Sequence, residues 1–351
     1  MAKLHQIPNP FIVGNPVKET EHKVFTGRHD VVRRIEESIL GSFQTPTLLL
    51  HGPRRMGKTS ILNQLPRLLG PDFVPCTVDC QNQALVVSPA EFFAYTSRRI
   101  VHALSKRGMP GQPVAVGELA YNPFVVFDRW LTNIQHVLGP RMRILVCFDE
   151  YERLARALEA GWGLALFDSL RHIIQHHEKI AFLFSGVHTF EQMGPIWTDT
   201  FISARRIRVS FLRRDEIVPL LTAPVPEFDM SYAPRSVDLI FDKTKGQPCL
   251  TQGLASELVD LLNEDGRREA RPEDVLEAAN RSLETTCAEY LANVWHDAGK
   301  EGQEILAAAI RGGRIPEHPA AERWLRDNDI MDERGVIVVP MVADSVARRI
   351  S

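Results

Sequence analysis

Apolar residues recur with two periods along this chain. Between Asp30 and Leu40, Val31, Val32, Ile35 and Ile39 fall at helical spacing. Thr47–Leu50 is a short continuous apolar run that ends at His51-Gly52, as a strand buried on both faces would. The helical period returns over 59–69, with Ile61, Leu62, Leu65, Leu68 and Leu69 on one face. Further strands are expected at Phe73–Val78, Ile144–Phe148, Ile180–Phe184 and Ile207–Leu212, and further helices at 89–106, 124–138 and 164–177. Strands that are almost wholly apolar and alternate with helices predict a parallel sheet covered on both faces. Beyond Arg213 the strand signal stops. Helices are expected over 215–285, broken at Pro224–Pro226 and at Gly246-Gln247-Pro248. More follow near 284–296, 301–311 and 320–327, and then a short β segment at Val336–Val339. This last arrangement resembles a winged helix.

The pattern divides the chain into an extended arm over 1–24, an α/β core over 25–212, a helical part over 213–283 and a winged-helix-like part over 284–351. A length of 351 residues suits two or three domains and a core that needs no disulfide or metal staples. With 41 basic against 44 acidic residues, the charge does not suit a dedicated, strongly basic nucleic-acid coat, though a local basic patch is still allowed. The 5 cysteines (Cys76, Cys80, Cys147, Cys249, Cys287) contain no CxxC pair, which fits reduced thiols and no zinc site. Residues 1–6 carry no long apolar core of a signal peptide. No apolar run approaches the roughly 20 residues that span a bilayer. The expectation is a cytoplasmic protein with no membrane partner.

The sharpest chemical signal is Gly52-Pro53-Arg54-Arg55-Met56-Gly57-Lys58-Thr59, followed by Ser60, which matches G-x-x-x-x-G-K-[ST]. Glycines let backbone N–H groups turn inward around a phosphate, where side chains would clash. Lys58 brings a positive charge to the β- and γ-phosphates, the Thr59 hydroxyl suits Mg²⁺, and the following helix aims its positive end at the anion. Chance would place this motif in roughly one chain in a hundred of this length. Here it also follows an apolar strand and precedes a helix, so ATP or ADP with Mg²⁺ is the expected ligand.

Asp149 and Glu150 close the apolar strand before them, on the side of an open α/β sheet where ligands bind. Asp149 is expected in the Mg²⁺ shell, and Glu150 as the residue that orients or deprotonates the attacking water. Ser185 ends the next strand, where a small polar group can address the γ-phosphate or the water. The bland alternative is a tolerated strand-end serine. Arg205 and Arg206 are candidates for a finger or sensor against transition-state charge, and Arg208 alternates with Ile207 and Val209 as a solvent-facing residue would. His176, His177 and His188 read more readily as ordinary helix-face or surface histidines than as catalytic ones.

Several separated segments resemble one family. Asn9-Pro10-Phe11 with Gly14-Asn15-Pro16-Val17, then Phe25-Thr26-Gly27-Arg28, the loop at 52–60, Ile144–Glu150 and Gly246-Gln247-Pro248 together resemble the STAND branch of the AAA+ ATPases, especially the archaeal-type ATPases and their bacterial relatives. The resemblance spans about 9–340. It implies that Phe25, Gly27 and Arg28 line the adenine pocket and that Pro248 touches base or ribose from the lid. It further implies a nucleotide switch, closed with ADP and open or self-oligomeric with ATP. Many relatives carry an effector domain or a repeat array, and this chain has neither, so an effector or sensor protein on a separate chain is implied. Arg235 is a weak candidate for the lid arginine of many AAA+ machines.

A DNA-handling AAA+ protein of the replication-initiator or transposition-regulator type is the alternative, with basic clusters at Arg205–Arg208, Arg213-Arg214 and Arg267-Arg268. The segment 320–328 sets Arg323 and Arg326 against Glu322 and Asp327, which hardly makes a basic recognition helix. A metabolic kinase is disfavoured by the lid motif and by the lack of a substrate signature.

Overall fold

The computed structural model describes residues 6–41 and 46–351. The opening five residues, on which much of the signal-peptide reading and part of the arm fall, lie outside them. The chain divides into two compact units. One is His29–Gly52 with Lys58–Val209, and the other is Met1–Arg28 with Pro53–Gly57 and Ser210–Ser351.

The first unit is built on a five-stranded sheet: β1 (Thr47–His51), β2 (Phe73–Asp79), β3 (Arg143–Asp149), β4 (Ile180–Gly186) and β5 (Arg205–Arg208). Every pairing is parallel, and the spatial order is β2-β3-β4-β1-β5. Parallel strands need crossovers, which the helices Lys58–Leu68, Pro89–Lys106, Pro123–His136 and Gly163–His176 supply. Ser88 starts the second of these: its hydroxyl accepts from the Glu91 amide at 3.2 Å, and Pro89 fills the first helical position, where no N–H is needed. The central strands β1, β3 and β4 are buried almost throughout. Against them lies an aromatic cluster that includes Phe148, Phe182, Phe184, Phe167, Trp197 and Phe201.

The fifth strand differs from expectation. It covers Arg205–Arg208 and not Ile207–Leu212, and only Ile207 of its four residues is buried. The Val209 amide still donates to His51 O at 2.7 Å, but Leu212 N–H donates instead to Gly246 O at 2.8 Å, so the chain leaves the sheet after 209.

The second unit has its own apolar core, including Ile217, Leu250, Leu258, Val275, Ile305 and Met341. Its helices include Arg214–Thr222, Ser236–Thr244, Pro248–Asp265, Pro272–Ser282, Ala288–Asp297, Gly299–Arg311, Pro319–Asp327 and Pro340–Ile350. Contrary to the expected end of strand structure at Arg213, Ser231–Tyr232 pairs in parallel with Glu269–Ala270. The expected β segment at 336–339 reduces to one antiparallel bridge, Met331 to Ile337, and the chain then forms a last helix that the periodicity had not marked. The arm is pinned rather than free. Ile7 N donates to Asn263 Oδ1 at 2.8 Å, Asn263 returns a bond to Ile7 O, and Ile12 N reaches Gln252 Oε1 at 3.1 Å.

Candidate nucleotide site

Register brings the chemistry to one level. Asp149 is the partner of Ser185 across β3–β4, and Leu50 is the partner of Ser185 across β4–β1. The C-terminal ends of three buried strands are therefore aligned, on the side where open α/β sheets bind ligands. There Thr59 Oγ1 donates to Asp149 Oδ2 at 2.7 Å and Ser185 Oγ donates to Asp149 Oδ1 at 2.8 Å. Burial pushes the Asp149 carboxyl up, while these two hydroxyls and the Lys58 charge pull the other way. Lys58 is itself buried and donates from Nζ to Gly52 O at 2.7 Å.

A carboxylate held by two hydroxyls is a hard oxygen site of the kind Mg²⁺ prefers. Among the described residues no group of three or more His, Cys, Asp or Glu side chains is placed to hold a metal ion. Were Mg²⁺ held by Asp149 and Thr59, phosphate and water would supply further ligands, which is how Mg²⁺ sits in phosphoryl-transfer sites. The donors fit the ion.

Glu150 is half-buried and left-handed, with φ 52° and ψ 45°, a conformation rare for a residue with a side chain and concentrated at functional sites. It turns the chain into the short helix Tyr151–Leu154. That turn delivers a residue the sequence reading passed over. Glu152 Oε1 accepts from Val187 N at 2.6 Å and His188 N at 2.9 Å, with His188 Nδ1 at 3.4 Å. Burial alone would raise its pKa, but these hydrogen bonds outweigh burial and hold the carboxyl below the usual range. The signal was present as a third acid after Asp149-Glu150, yet nothing in the sequence tells which way a turn will aim it.

Arg205 and Arg206 lie exposed on the edge strand. Arg205 Nη1 donates to Ser38 O at 3.3 Å, and Arg206 pairs with Glu191.

In the other unit, the Phe25–Arg28 box meets the apex of the glycine-rich loop. Arg28 is buried and donates to Met56 O at 2.9 Å and Ser210 O at 2.8 Å. Its amide and the tight Gly27 backbone rest on the Glu216 carboxylate, 2.6 Å from Arg28 N. Arg55 has φ 63°; its guanidinium reaches Glu289 Oε1 at 3.2 Å, and Arg54 reaches Asp297 Oδ2 at 3.4 Å. Pro248 opens its helix, while the buried Gln247 beside it both caps Leu250 N at 2.7 Å and donates to Arg55 O at 3.4 Å. Glu216, beneath the Gly27-Arg28 turn, and Gln247, on Arg55 O, are thus two further residues to which the sequence had assigned no role. Arg235 is left-handed, φ 73°, just before the helix Ser236–Thr244.

No family model and no curated protein matches this chain. Solved structures do. A Walker-type ATPase of Pyrococcus abyssi is 18% identical, with 96% of this chain and 99% of that one covered at a TM-score of 0.69. The ORC2 protein of Aeropyrum pernix, solved with ADPNP and ADP, is 13% identical over 92% and 93% at 0.56. RuvB of Thermotoga maritima, a Holliday junction branch migration motor, is 14% identical over 92% and 95% at 0.50. At such identities the likeness speaks for the fold. This chain has the P-loop NTPase fold.

Proposed function

We propose that this protein binds ATP with Mg²⁺, hydrolyses it, and works as a regulatory switch of the AAA+ type whose ADP or ATP state sets conformation, assembly or partner binding. The observation that carries the reading is the 2.7 Å bond from Thr59 Oγ1 to Asp149 Oδ2, made across the gap between a G-x-x-x-x-G-K-T loop and an acid-tipped central strand. A phosphate-binding loop and a hard-cation carboxylate are useful together only when a phosphate–metal complex bridges them.

In this reading the backbone of 52–60 cradles the phosphates, and Lys58 exchanges its bond to Gly52 O for the β- and γ-phosphate oxygens. Asp149 and Thr59 would hold Mg²⁺, which when bound supplies positive charge against the developing phosphate charge. Glu150 orients the attacking water and takes its proton. Ser185 keeps one Asp149 oxygen fixed. Residues 25–28 and Pro248 face the adenosine, with 25–212 as core, 213–283 as lid and 284–351 as a winged-helix-like part. Hydrolysis moves the balance between two conformations only by the difference in affinity of ATP and ADP for each.

The alternative, a DNA-handling ATPase, draws support from the likeness to RuvB. Against it, two of the three basic clusters are neutralised locally. Arg213 pairs with Asp215 at 3.1 Å and Arg267 with Asp274 at 2.6 Å, while Arg214 is on Asp238 and Arg268 on Asp229. Equilibrium binding of ATP and ADP with Mg²⁺ tests the main reading: micromolar affinity is expected, and no measurable affinity for either removes it. A shift assay with duplex DNA at low salt decides the alternative, since phosphate contacts bind most tightly there.

A further inference from the structure

We infer that Glu152 is a positioning residue of the hydrolytic site, clamping the turn Gly186–His188 so that Ser185 stays on Asp149. The inference rests on the ATPase reading above.

The clamp has three parts. Glu152 Oε1 takes two consecutive backbone N–H groups, from Val187 at 2.6 Å and His188 at 2.9 Å. The neighbouring Tyr151 donates its hydroxyl to His188 O at 3.0 Å, so both polar edges of that peptide segment are held from one short helix. Gly186 supplies the room: a Cβ there would lie 2.3, 2.4 and 2.5 Å from the Glu152 Oε1, Oε2 and Cδ atoms. Contacts that close do not occur between real atoms, so the carboxylate occupies the space a side chain at 186 would need.

The segment so held begins one residue after Ser185, whose hydroxyl donates to Asp149 Oδ1 at 2.8 Å. Glu152 itself is three residues after Asp149, on the far side of the left-handed Glu150. The carboxylate therefore ties the exits of β3 and β4 to each other just beyond the aligned Asp149 and Ser185. The two converging N–H donors and the His188 ring all address one oxygen, Oε1, so the position asks for an oxygen acceptor, which a carboxylate supplies. Glu152 touches none of the reacting atoms in this assignment; it acts through the backbone of 186–188. Its loss should then misplace Ser185 and Asp149 while the glycine-rich loop still takes ATP.

The wild-type protein is first assayed for ATP affinity and turnover with Mg²⁺; absence of both sinks the ATPase reading, and the remaining outcomes bear on the clamp alone. Glu152→Ala should lower kcat by about tenfold to a hundredfold, the cost of a misplacement near 1 Å, with KM changed by less than about threefold. Glu152→Gln, whose carbonyl oxygen still accepts both N–H groups, should recover most of that loss. Gly186→Ala should fall to the Glu152→Ala level, yet add less than about twofold when combined with it, because the alanine at 152 vacates the space. Wild-type kcat in Glu152→Ala, equal loss in the Gln and Ala variants, or fully additive losses in the double variant overturn the clamp. Should the alanine variant not fold, Glu152→Gln near wild type with Gly186→Ala reduced in kcat supports it, and both at wild-type kcat overturn it.

Discussion

In the proposed hydrolysis, Lys58 and Glu150 separate binding from chemistry at the level of single side chains. Lys58 already donates to Gly52 O at 2.7 Å, and a phosphate offers it a charged acceptor in exchange. Hydrogen bonds to charged groups contribute about 1.5–3 kcal/mol, so Lys58→Ala should weaken ATP binding by about tenfold or more in calorimetry. Glu150→Gln should leave that affinity within about twofold while lowering turnover by about 10²–10⁴-fold, the range for a lost general base. Equal turnover in the two proteins would contradict the assigned base. His51, at the end of β1, supplies a pH test. Burial first, then the Arg208, Arg206 and Lys58 charges, lower its pKa from 6.5 to about 4. The unfolded chain then takes up a proton that the folded chain refuses, so the native state loses stability as pH falls from about 6.5 toward about 4, and the loss is complete below that. Melting temperatures over this window should fall less steeply for His51→Gln than for the wild type; parallel slopes would show that His51 is not responsible.

At the scale of elements, the turn between the helices Ser236–Thr244 and Pro248–Asp265 shows how backbone geometry selects residues. Gly246 has φ 81°, and a Cβ there would lie 2.0 Å from Leu212 O, while its own carbonyl accepts the Leu212 amide at 2.8 Å. Gly246→Ala should destabilise the fold by at least about 1–3 kcal/mol from the backbone conformation alone. The clash adds to that, and a thermal melt will read it as a lowered Tm; an unchanged Tm would mean that the 212–246 contact is dispensable. The same contact explains why β5 is shorter than its apolar residues suggest. Val209 completes the sheet pairing, but Leu212 is committed to Gly246. The helix Pro123–His136 is joined to Gly163–His176 in a different way. The buried His177 contacts Asp128 Oδ1 through Nε2 and the Gln135 amide through Nδ1, both at 2.7 Å. A histidine with both nitrogens engaged in this way is a structural tie, and it is buried where a helix-face or surface histidine was expected.

Over the whole molecule, two apolar cores serve two compact units, and the chain passes between them at the glycine-rich loop. The switch proposed above would change state when nucleotide alters the loop. If the ATP state also assembles, native mass measured with a non-hydrolysable ATP analogue should be a multiple of the mass with ADP; identical masses would confine the switch to one chain and its separate partner. Among the described residues no helix is long and apolar enough to cross a membrane.

The four long apolar strands, their crossover helices and the loop at 52–60 were legible without coordinates, because burial on both faces and a phosphate cradle each restrict the allowed residues at fixed local spacing. The placement of Thr59 against Asp149 was legible too, since a P-loop and an acid-tipped strand define each other's geometry. Glu152, Gln247 and Glu216 were not, because a lone polar residue near a turn has no period, and only the fold decides where it points. The same holds for β5 and for the helix Pro340–Ile350, whose limits depend on partners more than 30 residues away or on packing against the rest of its unit. Local spacing thus determined the sheet and the glycine-rich loop set beside an acid-tipped strand. Tertiary contacts alone decided which acids and backbone groups meet around them, since those meetings join strand ends and turns that the sequence keeps far apart.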